Sequence, residues 1–323
     1  MKASVISPLI YPIMVPADNS LQSYNFYLIQ HEKALFLVDA GNANEACWEH
    51  LLRTLNSIGA AINDLDAIIL THNHADHTGL VNRIRAHADV PVYAHPNARV
   101  RLKRDRGFLE ERAAFFEQLY LKMGCGQKAY DEARRLRRAI EDNQSQKIAE
   151  DIATLKEGEA IYGFQVFEII GHSPDHIALF HEKSGILLAG DHILADTPTN
   201  ALVEYDQNGK RTRSLEQYEY SLKKVAHLPL QAIYPGHGAI IRDPQKKITE
   251  KLARIDRRAE RLIGQLGEPR TPAQLAKRIY RKKYETLFSL VMSEAIGHLD
   301  RLETLQKVMK EERDGIYYYV NAE

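Results

Sequence analysis

Four short apolar runs in this chain each lead into histidine or aspartate, and this pattern constrains the fold more than any other feature of the sequence. The first run precedes THNHADHTG (71–79), which holds three histidines and one aspartate within six positions. Each later run is followed by glycine and then by one histidine or aspartate. Such a run predicts a buried strand that delivers the next side chain to the edge of a sheet. The side chains placed in this way are His72, His74, Asp76, His77, His172, Asp191 and His237.

These side chains are of the types that bind transition metals. Imidazole and carboxylate groups suit Zn²⁺, and they also suit iron and manganese. Seven ligands exceed what one tetrahedral ion can use, so they fit two ions with one bridging carboxylate. Two ions roughly 3.5–4 Å apart can hold a hydroxide between them, and metal binding lowers the pKa of water from about 15.7 to near 7. The sequence therefore predicts two divalent metal ions, with Zn²⁺ as the first choice and Fe or Mn as alternatives.

The order of the predicted elements favours an α/β layered domain. Short apolar runs at 25–29, 34–41, 67–72 and 90–95 predict strands, and residues 43–59 predict an amphipathic helix closed by a glycine. Strands are predicted again at 160–173, 176–180, 185–191 and 231–238.

Two segments have a helical pattern instead. Residues 99–150 contain no proline and carry 13 Lys/Arg against 9 Asp/Glu, and they predict two or more helices broken near Gly124–Gly126. We expect either solvated helix faces or a mildly basic lid over a site. After Asp243 the chain is helical and charged to about residue 310, and it closes on DGIYYYV (314–320), a turn followed by a short aromatic strand.

The motif T-H-x-H-x-D-H at 71–77, with Gly171-His172, Gly190-Asp191 and Pro235-Gly236-His237, resembles the metallo-β-lactamase superfamily. The resemblance covers residues 1 to about 243, interrupted by the helical insertion. It implies an αββα sandwich with a dinuclear site along one edge of the two sheets. It further implies that His72, His74 and His172 hold the first ion, that Asp76, His77 and His237 hold the second, and that Asp191 bridges them.

The true β-lactamases of the superfamily usually have another residue at the position of Asp76. An aspartate there resembles the motif of the glyoxalase II, lactonase and nuclease branches. The motif is not the H-x-E-x-D variant of the di-iron flavoproteins, and no flavodoxin-like segment follows, which argues against redox chemistry. Family members often carry an acidic residue at the position of Asp39 that supports a ligand, although a plain turn aspartate is the alternative. His176 and His192 are candidates to support ligands or contact substrate, or simply to make local hydrogen bonds.

Residues 244–323 are predicted to form a second, mostly helical domain. TPAQLAKRIY, LFSLVMSEAIGHLDRLETLQKV and DGIYYYV resemble the small winged-helix-type tail of one branch of the superfamily, which includes ribonucleases and thioesterases. Residues 271–323 carry nine Lys/Arg against eight Asp/Glu, whereas a nucleic-acid reader is expected to be basic. Packing against the catalytic domain or a second subunit, as in a homodimer, is therefore favoured over nucleic-acid binding.

Composition bears on the partners and the cellular location expected for the chain. Lys+Arg and Asp+Glu both number 43, so bulk charge gives no indication of a nucleic-acid or membrane partner. The two cysteines, Cys47 and Cys125, form no CxxC pair and are expected to be buried thiols. The apolar N-terminus is interrupted by prolines and is too short to span a bilayer, so we expect a cytoplasmic protein without a membrane partner.

Three functions follow from these observations. The favoured one is a metal-dependent hydrolase of a small ester, thioester or lactone, in which the metal-bridging hydroxide attacks the carbonyl and either metal-bound water or Asp76 delivers the proton. The alternative is a phosphodiesterase or ribonuclease that uses the same ions. A non-catalytic sensor is the third, and the complete set of seven ligands argues against it.

The helical insertion bears on this choice. Its aromatic and apolar residues could enclose an acyl group or could form the packing core of the insertion itself: Phe108, Phe115, Phe116, Leu119 and Tyr120. A phosphate track would need clustered basic residues and stacking aromatics. RLKRDR (101–106) and RRLRR (134–138) are the candidates, but both alternate with apolar positions, as exposed helix faces do.

Overall fold

The computed structural model describes residues 7–18, 21–149, 151–206 and 209–322. Its first sheet has six strands in spatial order β1 to β6, antiparallel between the first three strands and parallel from β3 onward. The strands are β1 Leu9–Pro16, β2 Ser23–His31, β3 Ala34–Val38, β4 Ala67–Ile69, β5 Val92–Ala94 and β6 Ile152–Thr154.

Three helices cover the outer face of this sheet and its site edge. Alternate residues of β2 point to opposite faces, so Phe26 and Leu28 pack under the helices while Tyr27 and Ile29 face the second sheet. Trp48 and Leu51 on the first helix pack into the same outer core. The helices are α1 Glu45–Ser57, α2 Ala75–Thr78 and α3 Val81–Arg85.

The helical insertion lies between β5 and β6, as the sequence predicts. Its two long helices pack against each other and are separated by a turn in which Gly124 and Gly126 both have positive φ. Phe116, Leu119 and Tyr120 are buried in a core shared with the C-terminal helices, so they form packing and do not line a substrate pocket. The helices are α4 Arg99–Leu102, α5 Arg106–Lys122 and α6 Gln127–Asp142.

The second sheet completes the sandwich. Its spatial order is β11-β10-β9-β8-β7, and only the β10–β11 pair is parallel. Phe164, Leu179 and Leu188 pack across the middle layer against Ile29 and Phe36 of the first sheet. The strands are β7 Ala160–Ile161, β8 Phe164–Glu168, β9 Ile177–His181, β10 Ile186–Gly190 and β11 Ala232–Pro235.

Two helices cover the outer face of the second sheet: α7 Ser214–Ala226 and α8 Pro244–Ile263. Leu222 and Val225 of α7, with Ile248 and Ile255 of α8, join the core on that face. Two sheets packed face to face between two helical layers make an αββα sandwich, which confirms the predicted fold class. Within the described ranges, no helix is both long and apolar enough to cross a membrane.

The C-terminal elements pack on the insertion and on the sandwich. Ser293 Oγ accepts a hydrogen bond from the backbone N–H of Val203 (3.2 Å), and Arg211 pairs with the buried carboxylate of Asp300. The predicted domain boundary after residue 243 falls where α8 begins, and it stays a prediction. These elements are α9 Pro272–Tyr280, α10 Lys282–Thr286, α11 Phe288–Thr304, β12 Val308–Arg313 and β13 Ile316–Asn321.

Several elements differ from the sequence prediction, and two of them, β6 and α7, lie in segments for which it made no assignment. The helical pattern was expected to run to about residue 310, but α11 ends at Thr304 and β12 pairs with the aromatic strand β13 through a turn at Asp314-Gly315. The prolines of the N-terminal segment suggested no strand, yet β1 forms the edge of the first sheet. Proline is tolerated there because an edge strand leaves one side of its backbone unpaired.

Candidate metal centre

The carboxyl ends of several strands converge on one edge of the sandwich. Asp39 follows β3 and His72 follows β4, and these two strands are parallel neighbours. Asp191 follows β10 and His237 follows β11, and these two strands are also parallel. β8 runs in the same direction as β10, because both are antiparallel to β9, so the carboxyl end of β8 lies at the same edge. The backbone N–H of Ile177 donates to the carbonyl of Thr71 (2.9 Å) and joins the two sheets at this edge.

His72, His74 and His172 form the first group of possible ligands. The ring nitrogen Nδ1 of His74 lies 2.9 Å from Nε2 of His72 and 3.1 Å from Nε2 of His172. Three imidazole nitrogens that converge in this way suit the facial ligand set of one metal ion. His72 comes from the end of β4, and His74 lies at the N-terminus of α2, so one turn of chain supplies two of the three.

Asp76, His77 and His237 form the second group, and Asp191 lies between the two. Nε2 of His237 is 3.4 Å from Oδ2 of Asp76 and 3.2 Å from Oδ2 of Asp191. The Asp191 carboxylate is also 3.3 Å from Nε2 of His77 and 3.6 Å from Nε2 of His172. It therefore contacts both groups, which is the position expected of a bridging ligand. All seven predicted side chains meet at this site, and their binding of metal stays a prediction.

The opposite ring nitrogen of each of four histidines is held by a neighbour. Nδ1 of His72 lies 3.0 Å from the hydroxyl of Thr71 and Nδ1 of His77 lies 2.8 Å from Asp39. Nδ1 of His172 lies 2.9 Å from the carbonyl of Asn200, and Nδ1 of His237 lies 2.7 Å from the carbonyl of Ser23. In metal sites such partners fix the ring orientation and leave Nε2 free to bind the ion.

Three buried polar atoms without hydrogen-bond partners indicate whether metal ions fit at the centre. Nε2 of His77, Nε2 of His237 and Oδ1 of Asp191 are buried and make no hydrogen bond within the described part of the chain. Buried polar atoms without partners are rare in proteins because each costs free energy. Here they approach one another from the ends of β10 and β11 and from helix α2, and a divalent ion among them would satisfy all three. The donor set and its geometry fit the predicted ions.

Burial and neighbouring charges set the protonation of the ligands. Burial, followed by the other histidines, holds the pKa of His72 well below its usual range, and burial with His172 lowers the pKa of His74 to about 3. Neutral imidazole is the form that binds metal. Burial also disfavours a charge on His77, but the carboxylates of Asp191 and Asp39 outweigh it and raise the pKa of His77 well above normal.

Asp39 is the support for a ligand that the family pattern suggested. One carboxylate oxygen accepts from Nδ1–H of His77 (2.8 Å) and from the Thr71 hydroxyl (2.9 Å), and the other accepts from the Thr71 backbone N–H (2.8 Å). Its backbone has a φ of +60°, in the left-handed region that aspartate tolerates better than most residues. This conformation turns the carboxylate from the end of β3 toward β4 and α2.

Glycines precede three of the proposed ligands, and at Gly190 and Gly236 the site itself leaves no room for a side chain. A Cβ at Gly236 would lie 2.4 Å from Oδ1 of Asp191 and 2.5 Å from the ring of His77. A Cβ at Gly190 would lie 2.6 Å from the Thr71 hydroxyl, and the backbone there has a φ of +46°. The glycine before each ligand, read from the sequence as the end of a strand, is thus also a requirement of close packing.

His176 and His192, the two other histidines singled out in the sequence, are fully buried. Nε2 of His176 accepts a hydrogen bond from the backbone N–H of Asp191 (3.1 Å), and its ring stacks on His72. His192 packs edge-on against Tyr218, whose hydroxyl donates to the His192 carbonyl (3.0 Å). His176 therefore supports a proposed ligand, and neither ring is exposed to contact substrate.

A cavity of about 250 Å³ opens beside His74 between the sandwich and the insertion. Leu109, Leu136 and Ile140 line it together with three arginines of the insertion. Two of these, Arg101 and Arg112, hold the buried carboxylate of Glu204. Burial raises the pKa of Glu204, but the two guanidinium groups lower it to about 2.

Sequence reasoning missed several of these contributors. Arg101 was assigned to an exposed helix face, but its side chain is only 10% exposed and points at Glu204. In contrast, Arg134 and Arg135 of the RRLRR segment are exposed, as expected. Ser23 and Asn200 act through backbone carbonyls, which no residue type reveals. Glu204 pairs with arginines about 90 to 100 positions away, a separation that leaves no local signal.

Comparisons with known proteins bear on the family and the fold of the chain. The Metallo-beta-lactamase superfamily pattern matches residues 21–237. The probable metallo-hydrolase YqjP of Bacillus subtilis (strain 168) is 29% identical over 92% of each chain. The atrochrysone carboxyl ACP thioesterase of Aspergillus fumigatus is 26% identical over 81% of this chain and 66% of its own length.

A solved structure of a metallo-beta-lactamase family protein from Thermus thermophilus superposes with a TM-score of 0.77 at 24% identity, and covers 97% of this chain and 98% of its own. This similarity shows that the fold extends through the insertion and the C-terminal elements. The pattern match spans all seven side chains of the proposed site, from before Asp39 to His237. The chain belongs to the metallo-β-lactamase superfamily and is a metal-dependent hydrolase.

Proposed function

We propose that this enzyme hydrolyses a small ester, thioester or lactone at a dinuclear site, and that a thioester is the favoured substrate. The observation that carries the proposal is the pair of ligand groups that share Asp191 and open toward the cavity beside His74. This cavity offers apolar side chains next to the reacting centre, which suits an acyl group.

Two divalent ions, with Zn²⁺ as the first choice and Fe or Mn as alternatives, would supply a nucleophile from water near neutral pH and polarise the bond under attack. Side chains of the protein would hold these ions and transfer the protons. His72, His74 and His172 would hold the first, Asp76, His77 and His237 the second, and Asp191 both. Asp76 is 22% exposed whereas His77 and His237 are 1% exposed, so its carboxylate is the one of that group that a substrate can reach, and we assign the proton transfer to it.

The insertion supports carbonyl chemistry over phosphodiester cleavage. In the cavity beside His74, Arg101 and Arg112 both contact the carboxylate of Glu204, which compensates one of their two charges, so the N–H groups that make these contacts are not available to a phosphate. A relative named for thioester hydrolysis aligns with 81% of this chain. The second candidate is a phosphodiesterase or ribonuclease on the same ions, and a row of basic residues on α8 is the observation in its favour.

The test is a turnover assay on metal-loaded protein with four substrates: an acyl thioester, an acyl-homoserine lactone, bis-p-nitrophenyl phosphate and a short RNA. His74→Ala and Asp76→Asn are expected to abolish turnover, while the exposed His227→Ala serves as the matched control. Turnover of the thioester or lactone that is lost in both site variants supports the proposal. Cleavage of the diester and RNA alone would replace it with the second candidate.

A further inference from the structure

A second and larger cavity, of about 390 Å³, lies on the far side of the chain segment 195–201, between α8 and α11. We refer to it as the α8 pocket. Most of its basic lining comes from one helix face, because positions 247, 251, 254 and 258 are spaced by three or four residues. The basic side chains that line it are Lys247, Lys251, Arg254, Arg257 and Arg258.

Only two of these five cations have a carboxylate partner within the described part of the chain. Lys247 pairs with Glu250 (2.8 Å) and Arg258 pairs with Glu294. The one further acidic lining residue, Asp196, is exposed and forms no ion pair there. The pocket therefore carries an excess of positive charge, concentrated on Lys251, Arg254 and Arg257.

The excess charge is costly for the protein alone. Like charges at i and i+4 destabilise a helix, and burial adds to that cost. Burial, followed by Arg254, Lys247 and Arg258, lowers the pKa of Lys251 to about 7. The nearest polar contact of its ammonium group is the Thr199 hydroxyl at 3.4 Å, which brings no charge. A bound anion would supply the missing counter-charge.

The pocket adjoins the metal centre through a single residue. Asn200 lines the α8 pocket, and its carbonyl is also the hydrogen-bond partner of Nδ1 of His172. Thr199, next to it in the chain, donates from its hydroxyl to the carbonyl of His192, directly after Asp191. The α8 pocket and the metal centre are therefore neighbours on the two sides of residues 199 and 200.

We propose that the α8 pocket binds the phosphate group of a phosphorylated thiol, which is the leaving group of a thioester hydrolysed at the metal centre. This inference rests on the proposed function. In the reaction the C–S bond breaks, the oxygen of water forms the new C–O bond, sulfur takes up one proton of that water and the other is released to solvent, so a carboxylate and a free thiol result. Ammonium and guanidinium groups are the usual protein partners of phosphate.

The lining favours a phosphorylated small group over nucleic acid. Nucleic-acid grooves combine basic residues with aromatic rings on which bases stack. Among the described lining residues, Tyr218 is the only Phe, Tyr or Trp, and its ring packs on His192 while its hydroxyl donates to the His192 carbonyl. An uncharged lactone, in turn, would leave the three cations without a counter-charge.

The test compares one acyl group on three thiols: pantetheine, 4′-phosphopantetheine and coenzyme A. The wild-type enzyme is expected to have a KM for the phosphorylated thioesters about tenfold or more below that for acyl-pantetheine, at similar kcat. Lys251→Met and Arg254→Met should remove most of that difference and leave acyl-pantetheine unaffected. Lys246→Met, on the exposed face of α8, is the matched control.

The two phosphorylated substrates separate the possible sources of the phosphate. A lower KM for acyl-coenzyme A than for acyl-phosphopantetheine indicates the free coenzyme, and equal values indicate the prosthetic arm of a carrier protein. Lys251→Met is also expected to keep or raise the melting temperature, since it removes a buried cation without a counter-charge. Weakened binding in that variant then cannot be attributed to a damaged fold.

Calorimetric binding of free coenzyme A and of pantetheine tests the pocket without turnover. Both carry the same thiol, so any thiol–metal contact cancels between them. Tighter binding of coenzyme A that is lost in Lys251→Met, without hydrolysis of any thioester, would retain the phosphate site and reject the proposed function. Hydrolysis with equal KM for all three thioesters, or variants that weaken only RNA binding, would overturn the phosphate-thiol assignment.

Discussion

Asp191 and Glu204 are both about 6% exposed, yet their surroundings differ completely. Glu204 lies between two arginines, and bidentate contacts from Arg112 satisfy its oxygens. Asp191 is surrounded by histidines, and its Oδ1 makes no hydrogen bond within the described residues. A buried carboxylate with permanent cationic partners stabilises structure, whereas one that lacks them is suited to a ligand that arrives later.

The two regions also come from different parts of the chain. Asp191 follows β10 on the rigid edge of the sandwich, where strand ends fix the positions of the ligands. Glu204 lies in the connection that follows β10, and its ion pairs with Arg101 and Arg112 join this connection to the insertion. We infer that the sandwich edge sets the chemistry of the enzyme, and that the ion pairs of Glu204 hold the insertion over the cavity beside His74.

The largest expected effect is that of Asp191→Asn. An amide cannot bridge two cations as a carboxylate does, so both ions should bind more weakly and kcat/KM should fall by more than about 100-fold, beyond the usual cost of losing a partner of a ligand. Metal content per chain by elemental analysis and turnover of the best substrate measure this. Two tightly bound ions and near-normal turnover in Asp191→Asn would remove the distinction between the two carboxylates.

Glu204→Gln is expected to affect stability instead. It leaves the guanidinium groups of Arg101 and Arg112 buried without a counter-charge, and breaking a buried ion pair costs about 3–5 kcal/mol. Urea unfolding of the metal-loaded protein at neutral pH measures the loss. The exposed Glu111→Gln on α5 is the matched control and should change the unfolding free energy by less than about 0.5 kcal/mol.

The same variant has a pH signature. Because the pKa of Glu204 is lowered to about 2 in the fold, from an ordinary 4.5, its stabilising charge is fully present above pH 4.5 and is lost as pH falls toward 2. The difference in unfolding free energy between wild type and Glu204→Gln should therefore be constant at neutral pH and shrink through that window. A difference that does not change with pH would mean that the arginines do not depend on the charge of Glu204.

The sequence predicts one of these regions far better than the other. The ligands of the sandwich edge follow apolar strands directly, so position in the chain and position in space coincide for His72, His172, Asp191 and His237. The partners of Glu204 lie on a helical insertion, where residue type alone cannot show which face is buried. Arg101 therefore looked exposed although it is not.

Three strands, β1, β6 and β12, are absent from the sequence prediction, and two of them have a similar explanation. Nothing in the charged segment Val308–Arg313 predicts a strand, because its pairing depends on β13 and not on its own composition. The prolines of β1 disfavour a strand in the local pattern, but pairing with the neighbouring strand β2 stabilises it. Contacts between distant segments decide such elements, and a local pattern does not record them.

The smallest expected effect concerns Asp39, whose carboxylate contacts both the proposed ligand His77 and the backbone of Thr71. Asp39→Asn keeps the shape of the side chain but puts an NH₂ donor in place of one acceptor oxygen, so the amide cannot accept all three hydrogen bonds and must face either the His77 ring or the Thr71 backbone N–H with a donor. His77 would lose its fixed orientation, and metal affinity should fall about 10–100-fold. Chelator competition measures this, with kcat at saturating metal expected to recover most of its value.

Asp66→Asn provides the matched control for that prediction. Asp66 precedes β4, at the opposite end of the strand from His72, and its carboxylate accepts a hydrogen bond from the backbone N–H of Leu35 (2.8 Å). Its replacement should lower stability slightly and leave metal affinity unchanged. Equal losses of metal affinity in the two variants would show that Asp39 acts only by stabilising the sheet. A loss confined to Asp39→Asn would show that the buried carboxylate of β3 acts on the metal centre through the His77 ring.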